Sequence, residues 1–201
     1  MNAVFLTFDD GPDREWTPRV LDALAAAGIR ATFFVIGEQV RAHGGLVRRV
    51  HAAGHELGNH TWSHRHPLLM GVRRARREVQ DGAKALADTL GESVKYFRPP
   101  HGRVRRCMIE AAADLGQELV LWDVSAIDWG IFGRRAEIAR RLRKVGRGDI
   151  VLMHDGRNGS NCTDELVAAL PAFLADLSRR GLAARTLSAR EPVWRQESRH
   201  R

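Results

Sequence analysis

The stretch Val4-Phe5-Leu6-Thr7-Phe8-Asp9-Asp10-Gly11-Pro12 decides the fold. An apolar run of β-branched and aromatic residues, of strand length, stops at two carboxylates and a Gly-Pro turn signal. The next segment, Thr17 to Ala27, places Val20, Leu21 and Leu24 at helical spacing. Gly28 follows as a C-cap candidate, and a second apolar run, Ala31 to Ile36, begins beyond it. Strand, polar strand end, helix, glycine, strand is the repeating unit of a parallel sheet with crossover helices.

That unit recurs along the chain. Glu56 to Asn59, Tyr96 to Arg98, Leu119 to Asp123, Ile150 to Met153 and Ala183 to Leu187 read as further strands, and Thr163 to Arg180 as a helix with Leu166, Leu170, Phe173, Leu174 and Leu177 on one face. Gly54, Gly91, Gly116 and Gly181 each close a periodic run. Seven such strands are one fewer than a closed (β/α)8 barrel needs, so the array is either an incomplete, distorted barrel or an open doubly wound sheet. Both send the carboxyl ends of the strands to one face. A chain of 201 residues fits one α/β domain, taken as residues 1–192 with a basic tail at 193–201.

The net charge of +8 comes mainly from arginine, concentrated at Arg73 to Arg77, Arg140 to Lys144 and Arg195 to Arg201. No aromatic residues interleave with these runs, so they read as solvated helix faces, with Glu78 and Asp81 near the first, and no nucleic-acid partner is expected. The apolar runs are strand-sized, which excludes membrane insertion. The chain enters its first motif by Thr7, leaving no room for an export signal, so a cytoplasmic location is expected. Cys107 and Cys162 lack the spacing of a zinc knuckle.

Chemistry concentrates at the strand ends. Asp9-Asp10 alone reads equally well as a helix cap. His60-Thr61-Trp62-Ser63-His64 brings two imidazoles to one side. With an Asp from another strand end it would make a three-ligand site of the catalytic zinc type. His43, His51, His55, His66 and His200 read as surface or satisfied histidines. Arg98-Pro99-Pro100-His101-Gly102, Asp123 through Asp128-Trp129, and Leu152-Met153-His154-Asp155-Gly156 add polar groups at three more strand ends. A structural account for each alone is easy, and for all five together it is not.

Taken in order, these five motifs resemble the polysaccharide deacetylases that share the nodulation-type deacetylase domain, carbohydrate esterase family four, over nearly the whole chain. The resemblance implies a distorted, incomplete (β/α)7 barrel. It makes Asp10, His60 and His64 the ligands of one divalent ion, zinc first, with cobalt, nickel or manganese according to supply. Asp9 becomes the general base and His154 the general acid. Arg98 orients and charge-balances the base, Asp128 tunes the acid, Trp129 and Leu152 line an acetyl pocket, and the backbone N–H of His101 faces the oxyanion. The chain departs from the family at His101, where tyrosine is usual.

The implied reaction removes N-acetyl groups from N-acetylglucosamine-containing oligo- or polysaccharide, with chitooligosaccharide favoured. The alternatives keep the metal chemistry on a non-sugar amide, a cyclic imide or a lipid-linked amino sugar. A non-catalytic binder of acidic polymers would need neither Asp9 nor His154. Oligomeric state is not legible.

Overall fold

Every residue of β1 (Ala3–Asp9) is buried, as befits a strand in the middle of a parallel sheet. In the computed structural model, which describes residues 2–190, β2 (Thr32–Val35) and β7 (Ile150–His154) flank it, and all neighbouring strands run parallel. The expected tail at 193–201 lies outside the described residues. β3 (Glu56–Asn59), β4 (Tyr96–Phe97) and β5 (Glu118–Leu119) extend the sheet on one side and β6 (Val124–Ser125) ends it on the other, giving the order β5-β4-β3-β2-β1-β7-β6. β8 (Ala183–Arg185) pairs with the first residues of β1, from Ala3↔Ala183 to Phe5↔Arg185. The sheet is a curled half-barrel that stays open between β5 and β6, the incomplete barrel expected.

Alternation along β1 divides its side chains between two environments. Val4, Leu6 and Phe8 join the main core, packed with Val20 and Leu24 of α1 (Trp16–Ala26) and with Leu166, Leu170 and Phe173 of α7 (Thr163–Arg179). Full burial of each such side chain stabilises the fold by about 1.5–3 kcal/mol. Phe5 joins a second cluster with Phe34, Tyr96, Val120 and Ile150. The alternation puts Phe5, Thr7 and Asp9 on this inner face, so the carboxylate of the last residue points into the half-barrel.

Between these strands run α2 (Gly37–Ala42), α3 (Gly44–Ala52), α4 (Val72–Leu90), α5 (Arg106–Ala113) and α6 (Arg135–Leu142). Arg73, Arg74 and Arg77 are exposed on α4, and Arg76 pairs with Asp114 at 2.7 Å, so this run is a solvated helix face. Among the described residues no helix is long and apolar enough to cross a membrane.

Of the expected strand Leu119 to Asp123 only Leu119 lies in a strand: β5 ends there, residues 120–123 cross the open seam, and β6 begins at Val124 on the opposite edge of the sheet. The cause is a distant arginine. The Arg98 guanidinium donates to the carbonyls of Val120 (3.2 Å) and Leu121 (3.0 Å), which therefore do not serve a neighbouring strand. The Val120 N–H still bonds Phe97 O, and by Asp123 the backbone has crossed to Ile150 O, each at 2.9 Å.

Candidate active site

Asp9 closes β1, and Asp10 turns the chain with φ of 75°. A side chain at Gly11 would strike the buried Asp155 carboxylate, so the turn takes a glycine there. The parallel register sets Asp9 opposite His154 on β7 and opposite Phe34 on β2.

After β3 the chain enters His60 to His64 through two more left-handed residues, Thr61 (φ 67°) and His64 (φ 54°). Non-glycine residues avoid this region at a cost of order 1–3 kcal/mol, so surrounding contacts must hold them there. Asn59 Oδ1 accepts from Thr61 N–H (3.0 Å), and the buried Glu78 of α4 accepts from both Ser63 N–H (2.8 Å) and Ser63 Oγ (2.7 Å). Gly82 lets α4 approach this closely, since a Cβ there would lie 2.7 Å from the Thr61 carbonyl carbon. Glu78, expected among arginines on a solvated face, is thus a buried brace, which its helical spacing did not reveal.

The loop converges His60 and His64 on Asp10. His60 Nε2 and His64 Nε2 lie 3.5 and 3.2 Å from Asp10 Oδ1, and one donor atom from each residue falls within 4.8 Å of the others. His60 Nδ1 sits 2.8 Å from the Arg98 carbonyl. Donation there leaves its Nε2 lone pair facing the site. Asp10 Oδ2 accepts from Asn161, whereas Oδ1 is buried without a hydrogen-bond partner. Burial raises the Asp10 pKa, but the neighbouring histidines, His60 first, outweigh it and hold the carboxyl well below its usual range. Burial and the charge on His60 push His64 down to about 3. A buried carboxylate oxygen facing two imidazoles, one kept neutral, is the donor set of a cation site.

Arg98 is fully buried and supports Asp9 from behind. Its Nη1 donates to Asp9 Oδ1 (2.7 Å) and to Thr7 Oγ1 (2.8 Å), and its guanidinium stacks on Phe34, 4.1 Å from the ring centroid. Burial pulls the Arg98 pKa down and the Asp9 charge counters it. With Oδ1 so engaged, Asp9 Oδ2 is the oxygen turned toward His60, at 3.7 Å.

On the opposite wall the buried Asp128 grips His154 with both oxygens. Oδ2 accepts from the His154 backbone N–H (2.7 Å) and Oδ1 meets Nδ1 (2.8 Å). Burial alone would lower the imidazole pKa, but the Asp128 charge and hydrogen bond, with Asp10 and Asp9 adding, raise it to about 9. Nδ1 is committed to Asp128, so Nε2 is the nitrogen free to deliver a proton. The Trp129 ring meets His154 edge-on at 5.3 Å.

Asp9, Asp10, His60, His64, His101, Trp129, Leu152 and His154 thus line one cavity of about 500 Å³, with Arg98 and Asp128 behind two of them. Other contributors escaped the sequence. Trp122 lines the cavity from the seam between β5 and β6, and Asn158 and Asn161 line it from the β7–α7 loop, whose Asn-Gly-Ser-Asn composition reads only as a turn. His66, expected at the surface, is half-buried and stacks on His101 (5.1 Å), which in turn meets His64 edge-on (4.7 Å). His55 is satisfied as expected, accepting from Ala31 N–H at 3.1 Å. Asp123, grouped by sequence with the strand-end acids, caps the opposite end of β7 by accepting from Ile150 N–H.

The family described as polysaccharide deacetylase matches residues 1–120. A chitooligosaccharide deacetylase of Sinorhizobium fredii is 37% identical over 92% of this chain and 90% of its own length. A peptidoglycan-N-acetylglucosamine deacetylase of Bacillus cereus is 36% identical over 92% of this chain and 86% of its own. Among solved structures, a family 4 carbohydrate esterase from Streptomyces lividans in complex with acetate superposes with a TM-score of 0.82 at 32% identity, covering 90% of this chain and 91% of that one.

Proposed function

Because the chain belongs to the polysaccharide deacetylase family, whose members it matches over most of its length as an enzyme that deacetylates sugars, we propose that it is a divalent-metal-dependent de-N-acetylase of N-acetylglucosamine oligomers, with short chitooligosaccharides preferred. One observation carries the metal part: Asp10 Oδ1, buried and unpartnered, faces the Nε2 atoms of His60 and His64. One oxygen and two imidazole nitrogens suit zinc first, and cobalt, nickel or manganese next. An ion held there would supply a Lewis acid that polarises the acetyl carbonyl and acidifies water.

This chain's own groups then handle the protons. Asp9 accepts one from the attacking water at Oδ2, since Oδ1 is spent on Arg98. Arg98 balances the Asp9 charge and fixes the carboxylate's direction. His154 donates from Nε2 to the departing nitrogen, which without a proton is a very poor leaving group. Trp129 and Leu152 wall the space beside His154 and receive the acetyl methyl, and the His101 backbone N–H serves the developing oxyanion. The cavity volume lies within the range of small-ligand sites. Kinship to a chitooligosaccharide deacetylase over nearly the whole of both chains supports the substrate.

Incubation with N-acetylglucosamine oligomers should release acetate and lower product mass by one acetyl unit per event without shortening the chain. Chelation should abolish this and zinc should restore it, measured as acetate released. Full turnover by thoroughly metal-free protein, or hydrolysis of cyclic imides with no acetate from any sugar, overturns the reading.

The Asp128–His154 pair predicts a pH signature. The folded pKa of His154, about 9, lies above the ordinary imidazole value of 6.5, so the stability this pair adds is fully present below about pH 6.5 and is lost as pH rises through about 9. The alkaline limb of kcat/KM runs in the same direction, activity falling as His154 deprotonates. In Asp128→Asn the burial remains and the carboxylate charge is gone, so the alkaline limb should move to lower pH. An unmoved limb in the pH–rate profile would take the acid role away from His154.

A further inference from the structure

The loop between β7 and α7 reaches back over the site and touches two of its three candidate ligands. Asn161 Nδ2 donates to Asp10 Oδ2 (2.7 Å) and to Gly156 O (2.9 Å). Asn158 places its amide 2.7 Å from His64 Nδ1. From these contacts we propose that Asn158 and Asn161 are positioning residues for the metal site, with opposite demands: Asn158 must present an acceptor and Asn161 a donor. The inference rests on the metal reading of Asp10, His60 and His64.

Both hydrogens of the Asn161 amide nitrogen have acceptors, which fixes it as a donor. Its hold on Asp10 Oδ2 leaves Oδ1 as the oxygen directed at the two imidazoles. His64 reasons the other way. An imidazole that gives its Nε2 lone pair to a cation carries its proton on Nδ1, and that N–H needs an acceptor. A half-turn of the Asn158 amide supplies Oδ1 in place of Nδ2 with almost no change of shape. The Arg98 carbonyl already plays this part for His60 Nδ1. Each ligand is then held through its second polar atom: His60 by a backbone carbonyl, His64 by the Asn158 oxygen and Asp10 by the Asn161 nitrogen.

Neither residue could be picked out from the sequence, because the contact depends on how the loop at 157–162 folds back across β1. Partners of this kind are typically worth about 10–100-fold in metal affinity.

The test is the zinc affinity of purified protein, measured at one pH by competition with a chromophoric chelator, with melting of the metal-free protein as the control for folding. Asn158→Ala and Asn161→Ala should each bind zinc about 10–100-fold more weakly while metal-free melting is unchanged. Asn158→Asp, whose carboxylate only accepts, should bind at least as tightly as wild type. Wild-type affinity in either alanine variant overturns the role of that residue. An Asn158→Asp variant as weak as Asn158→Ala shows that His64 needs a donor and overturns the polarity assignment. Failure of the wild-type protein to bind zinc or any other divalent ion would instead remove the metal reading beneath the inference, a separate outcome.

Discussion

Asp9→Asn is expected to keep its metal while kcat falls by roughly two to four orders of magnitude, the usual worth of a general base. The substitution preserves shape. The asparagine oxygen still accepts from Arg98 Nη1, as Asp9 Oδ1 does at 2.7 Å. What changes is the atom turned toward the cavity, where an oxygen able to take a proton becomes an NH2 group that cannot. Asp10→Asn, one residue on, should instead lose metal and activity together, because it weakens one of only three ligands. The pair of variants separates two adjacent carboxylates by function. Metal content and initial rates of acetate release read both quantities on the same samples. Equal metal loss in the two variants would show that Asp9 also binds the ion.

Arg98→Met should produce the largest fall in stability of any single change near the site. The guanidinium is fully buried and satisfies Asp9 Oδ1, Thr7 Oγ1 and the carbonyls of Val120 and Leu121. Removing one partner of a buried ion pair leaves an uncompensated charge, a cost of about 3–5 kcal/mol. At about 2–4 °C per kcal/mol for a chain of this size, melting should drop by roughly 6–20 °C. Adding Asp9→Asn to Arg98→Met removes the stranded charge and should recover part of the loss, an interaction that a double-mutant cycle measures directly. A melting temperature within about 2 °C of wild type would mean that water or a rearranged backbone replaces the guanidinium.

The sequence made legible whatever is local. β1 and its Asp9-Asp10 end announced themselves because one apolar run is cut by two acids and a turn signal. The five motifs were visible because each sits where a strand stops, and the resemblance they carry supplied the incomplete barrel and eight of the residues that line the cavity. What stayed hidden depends on partners far along the chain. Residues 119–123 look like one strand until the Arg98 side chain claims the Val120 and Leu121 carbonyls. Glu78 sits in a basic helical run, and only the packing of α4 against the His60–His64 loop turns it inward. His66 reads as a surface histidine until His101, itself left-handed at φ 55°, swings beneath it.

The pairing of β1 with β7 bears on how the chain becomes an enzyme during synthesis. Asp9, Asp10, His60 and His64 precede Asp128 and His154 in the chain and so leave the ribosome before them. Until β7 docks, β1 lacks one neighbour along Phe5 to Asp9, and its main-chain groups on that side have no sheet partner. Until β7 is made, the emerging chain therefore carries its central strand as an exposed edge, the state in which strand-edge aggregation is the main hazard. When β7 adds, the register Asp9↔His154 closes that edge and sets His154 beside Asp9 in one event. On the proposed mechanism, a chain that stops before β7 has the three candidate ligands but no His154 to donate a proton.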